Sequence, residues 1–438
     1  MAGSDGTAEF PQRFHRLSLA ERREALHSHT DAEGEEWEAI DAGPTLNELA
    51  DLMVESAVGC LPLPLGLATG FLIDGEPAVI PMAVEEPSVI AAASFAARIV
   101  RRGGGFTTWA NEPVMRAQVF LEGVPAGAEL KLPAAEEEIR QRLDAVQPSL
   151  KARGGGFRGL EVCRLPETGT VRVDLRIDVR DAMGANILNS AAERLRPYLE
   201  KLCGGRALMC ILSNAAQERR AGARFALPLE ALPQTGGPQG GSKGGSDLSR
   251  EELARRIVAA GELAREDPQR AVTHNKGIMN GITSLALATM NDARAVEAAA
   301  HAWAARDGRY RALSSYRFDG RALEGELELP LPMASVGGAI GFHPASRLAL
   351  KVLGLPDGRR LARIAAALGL AQNLAALLAL VSGGIQRGHM RYHAARLAYQ
   401  AGARGTEVRL VAERLAARRA FNREEAGLEL RRLREERS

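Results

Sequence analysis

Gly154-Gly155-Gly156-Phe157-Arg158-Gly159 satisfies the G-x-G-x-x-G spacing of a dinucleotide-binding turn, and its reading decides the fold. In a Rossmann unit such a turn leaves a strand and opens a helix, because the pyrophosphate sits on that helix's N-terminus. Here the order is reversed. Residues 135–150 predict a helix before the glycines, and residues 160–165 predict a strand after them. A Rossmann domain is therefore excluded. Working outward, residues 115–121, 160–165, 171–179 and 207–212 read as strands, and 135–150 and 186–202 as helices. That order, β-α-β-β-α-β, is the ferredoxin-like one. The turn Asp181-Ala182-Met183-Gly184-Ala185-Asn186 falls between the third strand and the second helix, where free amides and the helix dipole can receive a phosphate. A plain helix-capping turn is the alternative, although it leaves Met183-Gly184 unaccounted for.

The densest polar stretch lies elsewhere: Thr273-His274-Asn275-Lys276-Gly277-Ile278-Met279-Asn280-Gly281, with Asn291-Asp292 beyond it. Glycine lets the backbone approach a ligand closely, and a lysine with a carboxylate partner can polarise a carbonyl. The competing reading is a capped helix start with a solvated lysine. Upstream, residues 71–80 read as two short strands about an Asp74-Gly75 turn, which delivers Glu85 and Glu86 to a loop before a helix at 88–99. Carboxylates there can simply complement the helix dipole. Ser18 with Glu21 forms a capping box, and residues 46–59 are patterned as a helix. Residues 314–318 and 323–329 resemble strands, the glycine turn Val336-Gly337-Gly338-Ala339 follows, and His343 is read as packing or capping. Residues 364–381 form an almost continuous apolar run, which Gln372 and Asn373 interrupt. It reads as a buried helix, not a membrane span. Residues 235–246 are glycine-rich without P-loop spacing, hence a flexible insertion.

A chain of 438 residues with a net charge of +2 and no basic tract interleaved with aromatics gives no general attraction to nucleic acid. Cys60, Cys163, Cys203 and Cys210 have neither CxxC spacing nor nearby histidines, so neither a disulfide framework nor a zinc site is expected. His27 and His29, and His389 and His393, lack converging ligands, and no metal is expected. The first ten residues lack the apolar core of a signal peptide, which predicts a cytoplasmic protein.

Four blocks in order, Val84-Glu85-Glu86-Pro87-Ser88, Asp181 to Asn186, His274-Asn275-Lys276-Gly277 with Asn280-Gly281, and Gly384-Ile385-Gln386-Arg387-Gly388-His389-Met390, resemble the soluble bacterial class (class II) of hydroxymethylglutaryl-CoA reductases. The resemblance runs from about Phe14 to the last helices. It implies an α+β fold: a large, mainly helical domain around a buried helix (1–112 and 218–383), an inserted ferredoxin-like, non-Rossmann coenzyme domain (113–217), and a C-terminal helical flap (384–438). It implies Glu86, Lys276, Asp292 and His389 as catalytic residues, with Asp292 between Lys276 and Glu86. Ser88, Arg270, Asn280 and Gln372 would hold the acyl group. Gln147, Asp181, Met183, Gly184 and Asn186 would hold NADH or NADPH. Hydroxymethylglutaryl-CoA, mevalonate and CoA are the implied small-molecule partners, in a homodimer or assembly of dimers with active sites at the subunit interface and no membrane anchor. Ser56, Met290 and Ile340-Gly341-Phe342 depart from the family pattern. They leave room for a non-catalytic CoA-binding homologue or a reductase of a related acyl-CoA.

Overall fold

A computed structural model describes residues 14–28, 30, 34–234, 248–382, 394–418 and 420–436. Three short helices come first: α1 (Leu19–His27), α2 (Gly34–Ile40) and α3 (Pro44–Met53). The Ser18–Glu21 capping box is present at α1. The helix expected over 46–59 stops at Met53, because Val54 turns extended and Ser56 takes a left-handed φ of +64°. Strands β1 (Leu65–Ile73) and β2 (Glu76–Ala83) form the expected antiparallel hairpin. Asp74 and Gly75 both have positive φ, as a type I′ turn requires. Helix α4 (Val89–Arg101) closes on Gly104 and Gly105, both at positive φ. A side chain at Gly105 would strike Leu72 O at 2.4 Å. The chain then enters β3 (Thr107–Ala110).

The inserted unit matches the strand and helix order expected of it. Strands β4 (Val114–Glu122), β5 (Gly156–Arg164), β6 (Val171–Asp178) and β7 (Arg206–Ser213) form an antiparallel sheet in the order β5-β6-β4-β7. Helices α5 (Lys131–Ala134), α6 (Glu136–Val146) and α7 (Pro148–Ala152) fill the first crossover, and α8 (Ala185–Cys203) fills the second. Met115, Val119, Ile139, Leu175, Leu188 and Leu195 make its core. The triple glycine follows α7 and leads into β5. Gly155 is needed because any side chain would collide with Asp178 O at 2.7 Å.

The rest of the large domain contains β8 (Arg220–Pro228), α9 (Arg250–Glu266), α10 (Pro268–Ala288), α11 (Ala293–Ala304), β9 (Ser314–Phe318), β10 (Ala322–Pro330), α12 (Pro344–Val352) and α13 (Gly358–Ser382). A second antiparallel sheet runs β3-β8-β10-β9. Sequence reading found β9 and β10 but not β3 or β8. The alternation of buried Ala221, Ala223, Phe225 and Leu227 was the available sign. Helix α13 is the expected buried helix and lies against α4, α9, α10 and this sheet. Among the described residues it is the one helix long and apolar enough to cross a bilayer, and most of its apolar stretch is packed inside the protein. Helices Thr406–Arg418 and Arg423–Glu435 pair around Val411, Leu415, Leu430 and Leu433. The expected glycine-rich insertion and His389 lie outside the described residues.

Two glycines let α10 and α13 approach. A Cβ at Gly281 would meet Leu368 and Gln372 at 3.2–3.3 Å, and one at Gly369 would meet Ile282 Cδ1 at 2.8 Å. Gly277, one helical turn before Gly281, has nothing within 4 Å. Gly281→Val should therefore lower the urea midpoint by the equivalent of roughly 1–3 kcal/mol through overpacking. Gly277→Ala should raise it by about 0.5–1 kcal/mol through helix propensity. Equal shifts for the two would show that the crossing is not close-packed.

Candidate active site

Helix α10 starts at Asp267-Pro268, where the aspartate side chain accepts from Gln269 N at 3.0 Å and the proline occupies the first turn. The lysine block is thus in the middle of a helix, not at a helix start as one reading of the sequence had it. Helical spacing puts Arg270, Thr273, His274, Gly277 and Asn280 on one side of α10. They face Gln372 and Asn373 of α13, and with Glu86, Ser88 and Lys276 they line a cleft of about 380 Å³. Lys276 Nζ donates to Glu86 Oε2 at 2.8 Å, joining two blocks separated by 190 positions. The lysine side chain is 60% exposed and the glutamate 36%. An ion pair so wet contributes little to stability. Asn275 is fully buried and serves the fold, donating to Arg311 O and accepting from Leu313 N, each at 2.9 Å.

The cleft carries unmet polar valence. Among the described residues, five side chains have a buried polar atom without a hydrogen-bond partner, Arg220 Nε of these still ion-paired with Glu328, and three of them, Ser88, His274 and Gln372, line this cleft. Ser88 is also left-handed, with φ +73°, and sits at the N-cap of α4 without capping it. A strained serine with an idle hydroxyl fits a ligand contact better than a structural role. His274 is 2% exposed; its Nε2 lies 2.6 Å from Ser314 Oγ. Ser314 Oγ and Tyr316 Oη both donate to Asn373 Oδ1, at 2.8 and 2.7 Å.

A second cleft, of about 500 Å³, opens at the far end of α10 between Ala182, Met183, Gly184, Asn186, Met290, Asp292 and the turn at Gly337, Gly338 and Ile340. Gly184 is the N-cap of α8, with φ +99° and no side-chain cap, so the first amides of α8 are open. Gly337 and Gly338 have positive φ and nothing within 4 Å of a would-be Cβ. Arg219 is 5% exposed and holds this turn in place, donating to Ala182 O at 2.8 Å, Met183 O at 3.4 Å and Met333 O. Sequence reading missed it; a lone arginine ahead of an unrecognised strand gave no sign. Asn291 joins the same assembly by accepting from Ala334 N at 2.7 Å.

The other predicted residues fall as follows. Asp181 lies behind the second cleft, its carboxylate accepting from Gly358 N at 2.9 Å and its carbonyl from Ser335 N at 2.9 Å. Gln147 Nε2 donates to Ile187 O at 2.6 Å, and Asp144 pairs with Lys151 at 2.6 Å. Asp292 does not stand between Lys276 and Glu86 in this chain. From Lys276, α10 runs on to Ala288, a rise of about 18 Å. Asp292 therefore emerges in the second cleft, where its carboxylate accepts from Ala295 N at 3.0 Å as the cap of α11. The turn with Gly337 and Gly338 lines this second cleft too. His343 caps α12, its Nδ1 accepting from Ala345 N at 3.2 Å. Two departures from the family pattern share one backbone feature: Ser56 and Met290 are left-handed, with φ +64° and +53°. Asparagine and glycine occupy that region more readily.

Burial pushes the His274 imidazole down to about 4, and the neighbouring Arg270 charge adds to the effect. The unfolded chain takes up a proton near pH 6.5 that the folded chain refuses until about pH 4, so stability falls across that window as pH falls. The loss from this group is about 3 kcal/mol at the acid end. Urea midpoints at pH 7 and pH 4.5 should fall further apart in wild type than in His274→Gln. Equal differences would contradict the buried, neutral histidine.

The sequence pattern of the family described as hydroxymethylglutaryl-coenzyme A reductase matches residues 18–394. A 3-hydroxy-3-methylglutaryl-coenzyme A reductase of Archaeoglobus fulgidus is 42% identical over 406 residues, 91% of this chain and 89% of the relative. The solved 3-hydroxy-3-methylglutaryl-coenzyme A reductase of Streptococcus pneumoniae is similar at 40% identity and TM-score 0.73, over 96% of this chain and 99% of that one. A structure of the class II enzyme of the same organism, bound to NADPH in open conformations, is similar at 40% identity and TM-score 0.72, over 96% and 100% of the two chains. With the profile and the relative spanning most of its length, the chain belongs to the hydroxymethylglutaryl-coenzyme A reductase family.

Proposed function

We propose that this protein reduces the thioester of hydroxymethylglutaryl-CoA to the alcohol of mevalonate in two steps at the cleft around Lys276 and Glu86, releasing CoA between them. The carrying observation is the 2.8 Å contact of Lys276 Nζ with Glu86 Oε2 in a cleft that also presents Arg270, Ser88, Asn280 and Gln372. A nicotinamide coenzyme supplies hydride when bound. As the carbonyl oxygen gains charge, Lys276 stabilises it, and Glu86, within hydrogen-bond reach of the lysine, is placed to deliver the proton. Arg270 suits the free carboxylate of the acyl group, which a guanidinium can hold through two hydrogen bonds. Ser88, Asn280 and Gln372 orient the rest. His389 is carried from the resemblance alone, as the acid that protonates the departing thiolate. The reading is that of a cytoplasmic enzyme of small molecules, without a nucleic-acid or membrane partner.

The second cleft suits the coenzyme. The open amides of α8 and the two left-handed glycines opposite can take a pyrophosphate, with Met183, Gly184 and Asn186 beside it. Asp181 and Arg219 shape the turn from behind. Lys276 lies a helical rise of about 18 Å before the end of α10, where the second cleft opens, a separation that favours hydride passing between two copies. We therefore assign each active site to two copies, one bringing the thioester cleft and the other the coenzyme cleft. Asp292 lines the coenzyme cleft, so it reaches a Lys276–Glu86 pair across that boundary and there keeps the lysine charged. Exposed leucines support a partner surface: Leu61 is 87% exposed, with Leu52, Val54, Leu65 and Leu67 also uncovered nearby in sequence.

Gln147 is neutral, and the nearby Asp144 is paired with Lys151 at 2.6 Å, so no unpaired negative charge at that position repels a 2′-phosphate. Side-by-side kcat/KM with saturating thioester should show turnover with NADPH at least comparable to NADH. Gln147→Asp should shift the ratio toward NADH by about tenfold or more, the effect of one repelling charge. Strict NADH dependence unchanged by the substitution would remove Gln147 from the coenzyme site. No coenzyme oxidation with hydroxymethylglutaryl-CoA, but oxidation with another acyl-CoA, would move the reading to that substrate.

A further inference from the structure

The hydrogens around His274 can be assigned. Ser314 Oγ and Tyr316 Oη both spend their protons on Asn373 Oδ1. Ser314 can then only accept at its 2.6 Å contact with His274 Nε2, so Nε2 carries the ring hydrogen. The ring is neutral, and Nδ1 is left as a bare acceptor, buried and without a partner in the fold. Leaving such an atom unpaired is costly unless a ligand brings a donor. The acyl group assigned to this cleft has three polar ends. Its carboxylate and its thioester carbonyl are acceptors only, which suits Arg270 and Lys276. Its single donor is the tertiary hydroxyl. Gln372 Oε1 is the other unpaired acceptor, but turning its amide presents a donor instead, whereas His274 Nδ1 stays an acceptor as long as Ser314 gives its proton to Asn373.

We propose that His274 determines specificity for the hydroxyl: locked as its Nε2–H tautomer by Ser314, Asn373 and Tyr316, it offers the Nδ1 lone pair to the tertiary hydroxyl of the bound acyl group. The assignment rests on the reading of this cleft as the hydroxymethylglutaryl-CoA site. It makes a buried histidine, otherwise a packing residue, the group that separates a hydroxylated substrate from its deoxy analogue. A site built to accept a hydroxyl hydrogen discriminates strongly against a ligand that lacks it.

The test is calorimetric binding of hydroxymethylglutaryl-CoA and of 3-methylglutaryl-CoA, which lacks the hydroxyl, to the full chain without coenzyme. Wild type should prefer the hydroxylated thioester by roughly ten- to a hundredfold. In His274→Gln, which keeps a polar end toward Ser314 but has no atom at the Nδ1 position, that preference should collapse. Affinity for the deoxy thioester should stay within about threefold, which also shows that the variant is folded. A preference retained in the variant, or an equal loss for both thioesters, would overturn the proposal. Failure of wild type to bind either thioester would instead refute the assignment of the cleft. The tautomer is read separately from 15N spectra of the histidine-labelled protein, where a proton on Nδ1 of His274 would also overturn it.

Discussion

The close crossing of α10 over α13 is the constraint from which the rest of the site follows. Gly281 and Gly369 remove the side chains that would hold the two backbones apart. Because the helices touch there, Asn280 and Gln372 meet at the cleft floor, and His274 can reach the relay that ends on Asn373. The buried face of α13 anchors both helices in the core, so this geometry is set by packing, not by the polar residues themselves. The polar residues inherit positions that apolar contacts have already determined. Ser88 and Glu86 are brought in from the other side by the hairpin and α4, and α4 packs on the same α13.

A rigid α10 has a second consequence. It puts Lys276 in its middle and the second cleft beyond its end, a helical rise of about 18 Å further on. A helix of fixed rise is a ruler, and the gap it measures is what motivates the two-copy site proposed above. Arg219 ties the Ala182-Met183 turn, and Asn291 the end of α10, to the loop after β10, which shapes the second cleft. The departure at Met290 sits in this rigid neighbourhood: a left-handed methionine carries backbone strain that glycine would relieve.

Much of this was legible in the sequence where local chemistry is decisive. The ferredoxin-like order followed from periodicity and from the context of the triple glycine, the Asp74-Gly75 turn from its residue types, and α13 from its apolar run. The Lys276–Glu86 encounter was legible only through the resemblance, since 190 positions of sequence carry no sign of contact. Strand β8 was lost because its alternation uses alanine, whose pattern is faint. The lysine block was taken as a possible helix start because its polarity hid the true start at Asp267-Pro268. Asp292 lies at the second cleft because α10 carries the chain well past Lys276 before it turns, a separation that motif spacing does not reveal. The unpaired acceptor on His274 has no sequence signature, because it depends on which hydrogen Ser314 gives to Asn373.

Lys276 and Glu86, 2.8 Å apart, are proposed to act as one unit on one carbonyl oxygen. The direct measurement is kcat/KM for thioester reduction in Glu86→Gln, Lys276→Met and the double variant. Residues that act as a unit are non-additive, so the double variant should be no slower than the slower single one. Losses that multiply in the double variant would mean that the two side chains act at separate steps or sites, and would contradict the account.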